Sequence, residues 1–169
     1  YSAMGQQAAA IKYYEMAVEK YKKVENKLGE ISTANSIAST YLNFSSLQLY
    51  KNKYQELNSM LDTVPVELKN SREYKTIAGS IAFNQAQFDL MSKQYDPAIS
   101  EFKKCIALFE QSGNIKKIPS AYTSIGLACL LQATGVHDKD PVKKAEGIRQ
   151  AIGYFEKALP LAKEFGLLE

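Results

Sequence analysis

Three nine-residue segments of this 169-residue chain follow one pattern: an alanine and an isoleucine, then an aromatic residue, then a small residue and an aliphatic one. The segments are residues 10–18, 98–106 and 151–159. A weaker fourth copy, residues 57–64, begins with Leu57 in place of the alanine. Internal repetition of this kind indicates a stacked array of one supersecondary unit, and such arrays usually bind other molecules through an extended surface.

The repeated pattern has the spacing of a helix face. Ala98, Phe102 and Cys105 stand at i, i+4 and i+7, so they share one side of a helix. The small side chain at the first position allows a neighbouring backbone to approach closely. The four segments start 47, 41 and 53 residues apart, which fits two helices per unit with loops of variable length. The predicted unit is therefore a helical hairpin.

Apolar spacing predicts helices only, and several boundaries have their own chemistry. Asp-Pro pairs at 96–97 and 140–141 each predict an N-cap followed by a first helical residue. Gly113 and Gly166 are predicted to end helices in a left-handed conformation. Pro160 lies inside the last helical pattern and should kink that helix or shift its end. The predicted helices are residues 6–27, 29–48, 51–63, 71–92, 97–112, 116–133 and 141–165.

Composition excludes several classes of protein. A formal net charge of +3, from 21 basic and 18 acidic residues spread along the chain, argues against direct binding of nucleic acid. The sequence shows neither a membrane span nor a signal peptide, so membrane insertion is not expected. Cys105 and Cys129 occupy small apolar positions and are expected to be unpaired. The compartment stays open between cytoplasm and periplasm.

The residues beside the repeated motif resemble the tetratricopeptide repeat (TPR) family. The last unit supplies that family's bulky, small and aromatic positions, and the unit before it has the same pattern in its second helix. The matching residues are Tyr122, Ile125, Gly126, Cys129, Ala151, Phe155 and Ala158, and then Tyr95, Ala98, Phe102 and Cys105. The resemblance implies an all-α fold, in which tandem antiparallel helical hairpins stack in a right-handed α-α superhelix.

In this frame residues 1–169 form a single TPR-like domain. Residues 1–28 end with the second helix of a truncated repeat, and the full repeats span 29–69, 70–113 and 114–169. The last repeat contains an insertion near 132–145, which is either a protruding functional loop or a tolerated surface insertion. We expect the chain to be a fragment of a larger protein, or an array completed by self-association through uncapped ends.

No arrangement of residues typical of catalysis is found. His137 is the only histidine, and although Asp138 and Asp140 are near it in sequence, no EF-hand spacing follows. A nucleophile elbow and a phosphate-binding glycine loop are both absent. The sequence therefore predicts no catalytic residue, no metal site and no cofactor, and the chain is not expected to be an enzyme.

The TPR resemblance implies where a partner would bind. First helices line the concave face in that family, and here they carry amides and hydroxyls that could bind a peptide backbone, with two apolar residues as anchors. The alternative is that these side chains only solvate the helices. The candidate residues are Asn35, Ser39, Asn43, Ser80, Phe83, Asn84, Gln87, Ser120, Thr123 and Leu127.

These observations favour a non-catalytic scaffold that binds a protein or peptide of unknown identity. Some members of the family bind the carboxylate of chaperone tails with basic residues on first helices. Residues 119–134 contain no basic residue, so chaperone tails are disfavoured. The alternative function is a ligand- or peptide-sensing regulatory module of a bacterial signalling protein or transcription regulator.

Overall fold

The computed structural model describes residues 3–167, and from Gly5 onward also their side chains. This part of the chain folds into eight α-helices and contains no strand, so the predicted all-α class is confirmed for it. Residues 1–2 and 168–169, which the predicted domain includes, lie outside the described residues. The helices are α1 (Ala3–Lys23), α2 (Lys27–Asn43), α3 (Leu47–Asp62), α4 (Val66–Lys69), α5 (Arg72–Met91), α6 (Tyr95–Ser112), α7 (Ile118–Leu131) and α8 (Pro141–Glu164).

Five of the helices are followed by a residue in the left-handed conformation. Gly113 (φ 75°) and Gly166 (φ 64°) end α6 and α8 in this way, as predicted. Glu25, Ser45 and Lys93 adopt the same conformation after α1, α2 and α5 although they carry side chains. Helix α2 ends at Asn43, five residues before the predicted boundary at 48, because the N–H groups of Ser45 and Ser46 donate to carbonyls of α2. This turn contains no glycine, so it could not be predicted from residue type.

The two predicted Asp-Pro helix starts differ in outcome. Asp140 is the N-cap of α8, and its Oδ1 accepts hydrogen bonds of 3.1 Å from the N–H groups of Val142 and Lys143. The prediction for Asp96 was wrong, since α6 begins at Tyr95. Proline is tolerated anywhere in the first turn, where N–H groups have no partner within the helix, so Pro97 marks that turn without fixing its first residue.

Pro160 does not end α8, which continues to Glu164. Part of the predicted insertion is helical and does not form a loop. After α7, the segment Gln132–Val136 forms a π-helical turn, and buried Ala133 lies against α8 at Gly147. A Cβ atom at Gly147 would lie 2.7 Å from that of Ala133, so the two backbones are close there.

Helices adjacent in sequence pack against each other, and α2 also packs on α5. At three places a helical glycine lies under an aromatic ring of the neighbouring helix. The pairs are Gly29 with Tyr21, Gly79 with Phe109, and Gly126 with Phe155. A Cβ atom on any of these glycines would come within 2.8 Å of the ring. Small residues outside the repeated motif therefore allow the paired helices to approach closely at these three places.

Two apolar clusters form the core, and α5 contributes to both. One cluster, which we call the N-terminal core, lies among α2, α3 and α5. The other, the C-terminal core, lies among α5, α6, α7 and α8. Cys105 and Cys129 are buried in the C-terminal core as free thiols, as predicted. None of the helices in residues 3–167 combines the length and hydrophobicity that a membrane span requires.

Candidate binding groove

Helices α2, α5 and α7 are joined by hydrogen bonds between polar side chains. Asn84 Nδ2 of α5 donates to Asn35 Oδ1 of α2 at 2.9 Å. Gln87 Nε2 of α5 donates to Ser124 Oγ of α7 at 3.2 Å. These bonds hold the first helices of the three predicted hairpins side by side.

The register between α5 and α7 follows from two contacts with the same spacing. Lys117 Nζ, directly before α7, donates to Ser80 Oγ of α5 at 3.3 Å. This pair is 37 residues apart in sequence, and so are Gln87 and Ser124. Because the two separations are equal, the two helices are parallel and keep a constant register.

A pocket of about 500 Å³ opens where the three helices meet. A second pocket, of about 290 Å³, shares Ser39, Phe83 and Asn84 with the first. We call the two pockets together the groove. Most of the predicted candidate residues line it: Asn35, Ser39, Ser80, Phe83, Asn84 and Ser120 line the larger pocket, and Asn43 and Gln87 line the smaller one.

Two candidate residues lie outside the groove. Thr123 is exposed, and its Oγ1 donates to Pro119 O of its own helix at 3.0 Å. Leu127 is 42% exposed and lines neither pocket. The sequence frame also missed several lining residues. Of these, Ser32, Ser36 and Thr76 lie one turn from predicted residues, and Ile77 and Phe109 are apolar. Lys117 lies in the predicted helix 116–133 but directly before the observed α7.

Two hydroxyl groups in the groove donate hydrogen bonds to carbonyls of their own helices. Ser36 Oγ donates to Ser32 O at 3.2 Å, and Ser80 Oγ donates to Thr76 O at 3.0 Å. A serine that donates to its own helix keeps oxygen lone pairs with which to accept. At these two positions the groove wall therefore offers acceptors to the N–H donors of a ligand.

The larger pocket has one charged lining residue, Lys117. Its Nζ lies 5.8 Å from the centre of the Phe109 ring, within the range of a cation–π contact. Phe109 itself is fully buried. The charge therefore sits beside an apolar wall with Ser80 as its hydrogen-bond partner.

A second polar network lies deeper, between α3 and α5. Tyr50 OH donates to Gln85 Oε1 at 3.3 Å, and Gln85 Nε2 donates to Asp89 Oδ1 at 2.9 Å. Asp89 is only 5% exposed, and burial raises the pKa of its carboxyl above the ordinary value, with the nearby Glu101 charge adding to the effect. This carboxylate is thus held by a neutral amide in an apolar setting.

Groups with catalytic or metal-binding chemistry are not brought together in the described residues. Among residues 3–167, no cluster of three or more His, Cys, Asp or Glu side chains could hold a metal ion. Asp138 forms an ion pair with Lys144 at 2.7 Å, whose hydrogen bond lowers the pKa of Asp138. Burial raises the pKa of the Cys105 thiol to about 12, far from the range in which a thiolate acts as nucleophile.

A scan against sequence models of known protein families finds no match, and a search of curated proteins finds none similar to this chain. The groove is therefore the basis for assigning a function.

Proposed function

We propose that this chain is a TPR-like array of helical hairpins that binds a peptide or protein segment in the groove without catalysis. In this proposal α2 with α3, α5 with α6, and α7 with α8 form the hairpins, stacked in a right-handed superhelix, and α1 is the second helix of a preceding unit. The groove lies on the face formed by α2, α5 and α7.

The same kind of close contact within two of the proposed hairpins supports the array. Gly79 of α5 lies under Phe109 of α6, and Gly126 of α7 lies under Phe155 of α8, although the two glycines are not at equivalent positions in the register of α5 and α7. The parallel register of α5 and α7 supports it further, because stacked copies of one unit place equivalent helices side by side.

The observation that carries the binding function is a groove whose wall accepts hydrogen bonds and whose floor is apolar. Serine oxygens and amides surround the opening, while Ile77, Phe83 and Phe109 supply apolar surface. A polypeptide segment offers backbone N–H donors and apolar side chains together, so it fits both parts.

A groove-filling substitution tests this proposal. Ser39 lines both pockets, so Ser39→Phe should fill their junction and abolish binding. Ser59→Phe is the matched control, because Ser59 is exposed on α3 and lines neither pocket. The probe is a pool of random hexapeptides added to the isotope-labelled chain, and binding is read from amide chemical shifts in NMR spectra.

We expect the pool to shift the signals of groove residues in the original chain and in Ser59→Phe, but not in Ser39→Phe. Thermal melting of both variants checks that the fold is kept. Shifts that lie elsewhere on the chain, or that survive Ser39→Phe, would disprove the groove as the binding site.

One observation favours a sensing version of the same function. The amides of Asn84 and Gln87 line the groove and also bond α5 to its neighbours. A ligand that takes over either amide would release a contact between helices and change their spacing. That coupling is what a regulatory module requires, and it also makes these two residues poor choices for a pure binding test.

A further inference from the structure

A third pocket, of about 370 Å³, is lined by residues of α6 and α8. Four of its lining residues stand at i, i+3, i+4 and i+7 of α8, so they share one face of that helix. They are Gln150, Gly153, Tyr154 and Lys157, and α6 contributes Lys103. We call this the α6–α8 pocket. It shares no lining residue with the groove, so it is a separate candidate site.

The lining of the α6–α8 pocket is positively charged, since it includes two lysines and no carboxylate. No ion pair within residues 3–167 involves Lys103 or Lys157. Along the same helix faces, Glu146 pairs with Arg149 at 2.6 Å, and Glu110 pairs with neither lysine. The two ammonium charges are therefore left without an anion of the chain's own.

Tyrosine rings keep one of these charges beside the pocket. Lys157 Nζ lies 5.2 Å from the centre of the Tyr154 ring and 6.0 Å from that of the Tyr122 ring, both within the range of a cation–π contact. The two rings stack with their centres 6.3 Å apart. A ring face does not take the place of a hydrogen-bond acceptor, so the N–H donors of Lys157 stay available to a ligand.

The other lining residues add a donor, an apolar surface and space. Gln150 Nε2 donates to Glu146 Oε1 at 3.1 Å, which leaves its second N–H group available. Tyr154 presents an aromatic ring with a hydroxyl group at its end. A Cβ atom at Gly153 would have no other atom within 4 Å, so the pocket is open above this residue. Donors and an apolar surface therefore border one open space.

Charge and size together select the ligand. Two ammonium groups are balanced by a dianion, whereas a single carboxylate would balance only one of them. A phosphate monoester has a charge of about −1.5 to −2 at pH 7 and oxygens that accept several hydrogen bonds. The pocket volume of about 370 Å³ lies near the lower end of the ~300–1,000 Å³ typical of small-molecule sites. A small phosphate ester fits both the charge and the volume.

We propose that the α6–α8 pocket binds a small organic phosphate monoester. The phosphate group pairs with Lys103 and Lys157 and accepts the second N–H of Gln150. The organic part lies over Gly153 and against the ring of Tyr154. This site does not depend on the groove, and its ligand differs in chemistry from the peptide proposed there.

Three anions test the proposal: phenyl phosphate, phenyl sulfate and inorganic phosphate. Phenyl sulfate has nearly the shape of phenyl phosphate but a single charge, and inorganic phosphate lacks the ring. Each is titrated to about 10 mM against the isotope-labelled chain in NMR, which detects affinities in the millimolar range. Low salt limits screening of the lysines, and a pH of about 7.5 keeps the phosphates mostly dianionic.

We expect phenyl phosphate to shift the amide signals of Lys103, Gly153 and Lys157. Phenyl sulfate should bind about fivefold more weakly, as for the loss of one partly exposed charge contact. Inorganic phosphate should also bind more weakly than phenyl phosphate, because nothing then covers the Tyr154 ring.

Substitution of the open glycine gives a sharper test. Gly153→Glu places a carboxylate between the two lysines without a clash, and it should abolish the shifts. Gly135→Glu is the matched control, because Gly135 also has open space around an added Cβ atom and lies outside the pocket. Thermal melting of both variants checks that the fold is kept.

A lysine series tests the charge itself. Lys157→Gln should remove most of the preference for phenyl phosphate over phenyl sulfate, and Lys157→Arg should keep it. Lys163→Gln is the control, because Lys163 is exposed on the same helix but does not line the pocket.

Several outcomes would overturn the proposal. Equal binding of phenyl phosphate and phenyl sulfate, an unchanged preference in Lys157→Gln, or shifts that survive Gly153→Glu would refute the dianion site. Inorganic phosphate that binds as tightly as phenyl phosphate would refute the contact with the organic part. A blocked pentapeptide with a central phosphotyrosine that binds more tightly than phenyl phosphate would refute a small ligand. None of these results affects the groove, whose own amide signals report on it separately.

Discussion

The two cores of this molecule are built from different side chains. In the C-terminal core, rings such as Phe102 and Phe109 are surrounded by alanines and cysteines. In the N-terminal core, larger flexible residues such as Leu28, Ile31 and Leu57 pack on each other, and Tyr50 connects them to polar groups. The C-terminal core, which has many small residues, contains two of the three strict copies of the repeated motif. The N-terminal core, which packs large residues beside a polar network, contains the weaker copy at 57–64.

The largest expected effect is a cavity in the C-terminal core. Phe102 is fully buried and meets Phe83 edge-on, with ring centres 5.4 Å apart. Its alanine and cysteine neighbours have few rotamers with which to fill a void, so Phe102→Ala should lower the free energy of unfolding by about 3–5 kcal/mol. Leu57→Ala, in the N-terminal core, should lower the free energy of unfolding by less, about 2 kcal/mol, because Met60 and Leu61 can move into the cavity.

Urea denaturation of the two variants measures this difference. An equal or greater loss in Leu57→Ala would show that the two cores relax alike, and the comparison between them would then fail.

A smaller effect is expected where helices approach most closely. A Cβ atom at Gly79 would lie 2.8 Å from Cε1 of Phe109, a ring that is fully buried. Gly79→Ala should therefore destabilise the fold by about 1–3 kcal/mol through overpacking. Gly153→Ala is the control, since nothing lies within 4 Å of its added methyl group, and it should stabilise α8 by about 1 kcal/mol. Chemical denaturation of both variants shows whether each change raises or lowers the free energy of unfolding. A stabilising Gly79→Ala would contradict close helix packing there.

How far the sequence predicts this molecule depends on which residues repeat. The alanines and aromatic residues of the motif have helical spacing, so the helices and their small-residue packing could be predicted. Gln87 and Asn84 could be placed in the groove because they follow the same helical frame. Lys117 was missed although it lies in the predicted helix 116–133, because the candidates were sought among amide, hydroxyl and apolar side chains. The left-handed Ser45 was missed because its conformation depends on hydrogen bonds and not on residue type.

The smallest expected effect concerns the polar network beside the N-terminal core. Because burial raises the pKa of Asp89 in the folded state, the folded protein holds this proton more tightly than the unfolded chain does. The charged carboxylate therefore lowers stability above its raised pKa, and this penalty is lost as pH falls through that pKa toward the ordinary 3.8. Asp89→Asn should be more stable than the original chain at neutral pH.

Urea denaturation of both proteins between pH about 4 and 7 tests the sign, across the range in which a raised carboxyl pKa titrates. The stability difference should shrink as the pH falls. A difference that is independent of pH, or an Asp89→Asn variant that is less stable at neutral pH, would show that the Gln85 hydrogen bond outweighs the burial of the charge.

The common register of α5 and α7 also limits what the groove can recognise over a long stretch. Matched side chains on these helices recur with each helical turn, about every 5.4 Å, whereas side chains on one face of an extended peptide recur about every 6.6 Å. The two periods drift apart by about 1.2 Å per step, so after about two steps a side chain of the peptide faces a gap between rows. Such a surface can hold a segment at two points, but it cannot contact successive side chains in the same way along an extended partner.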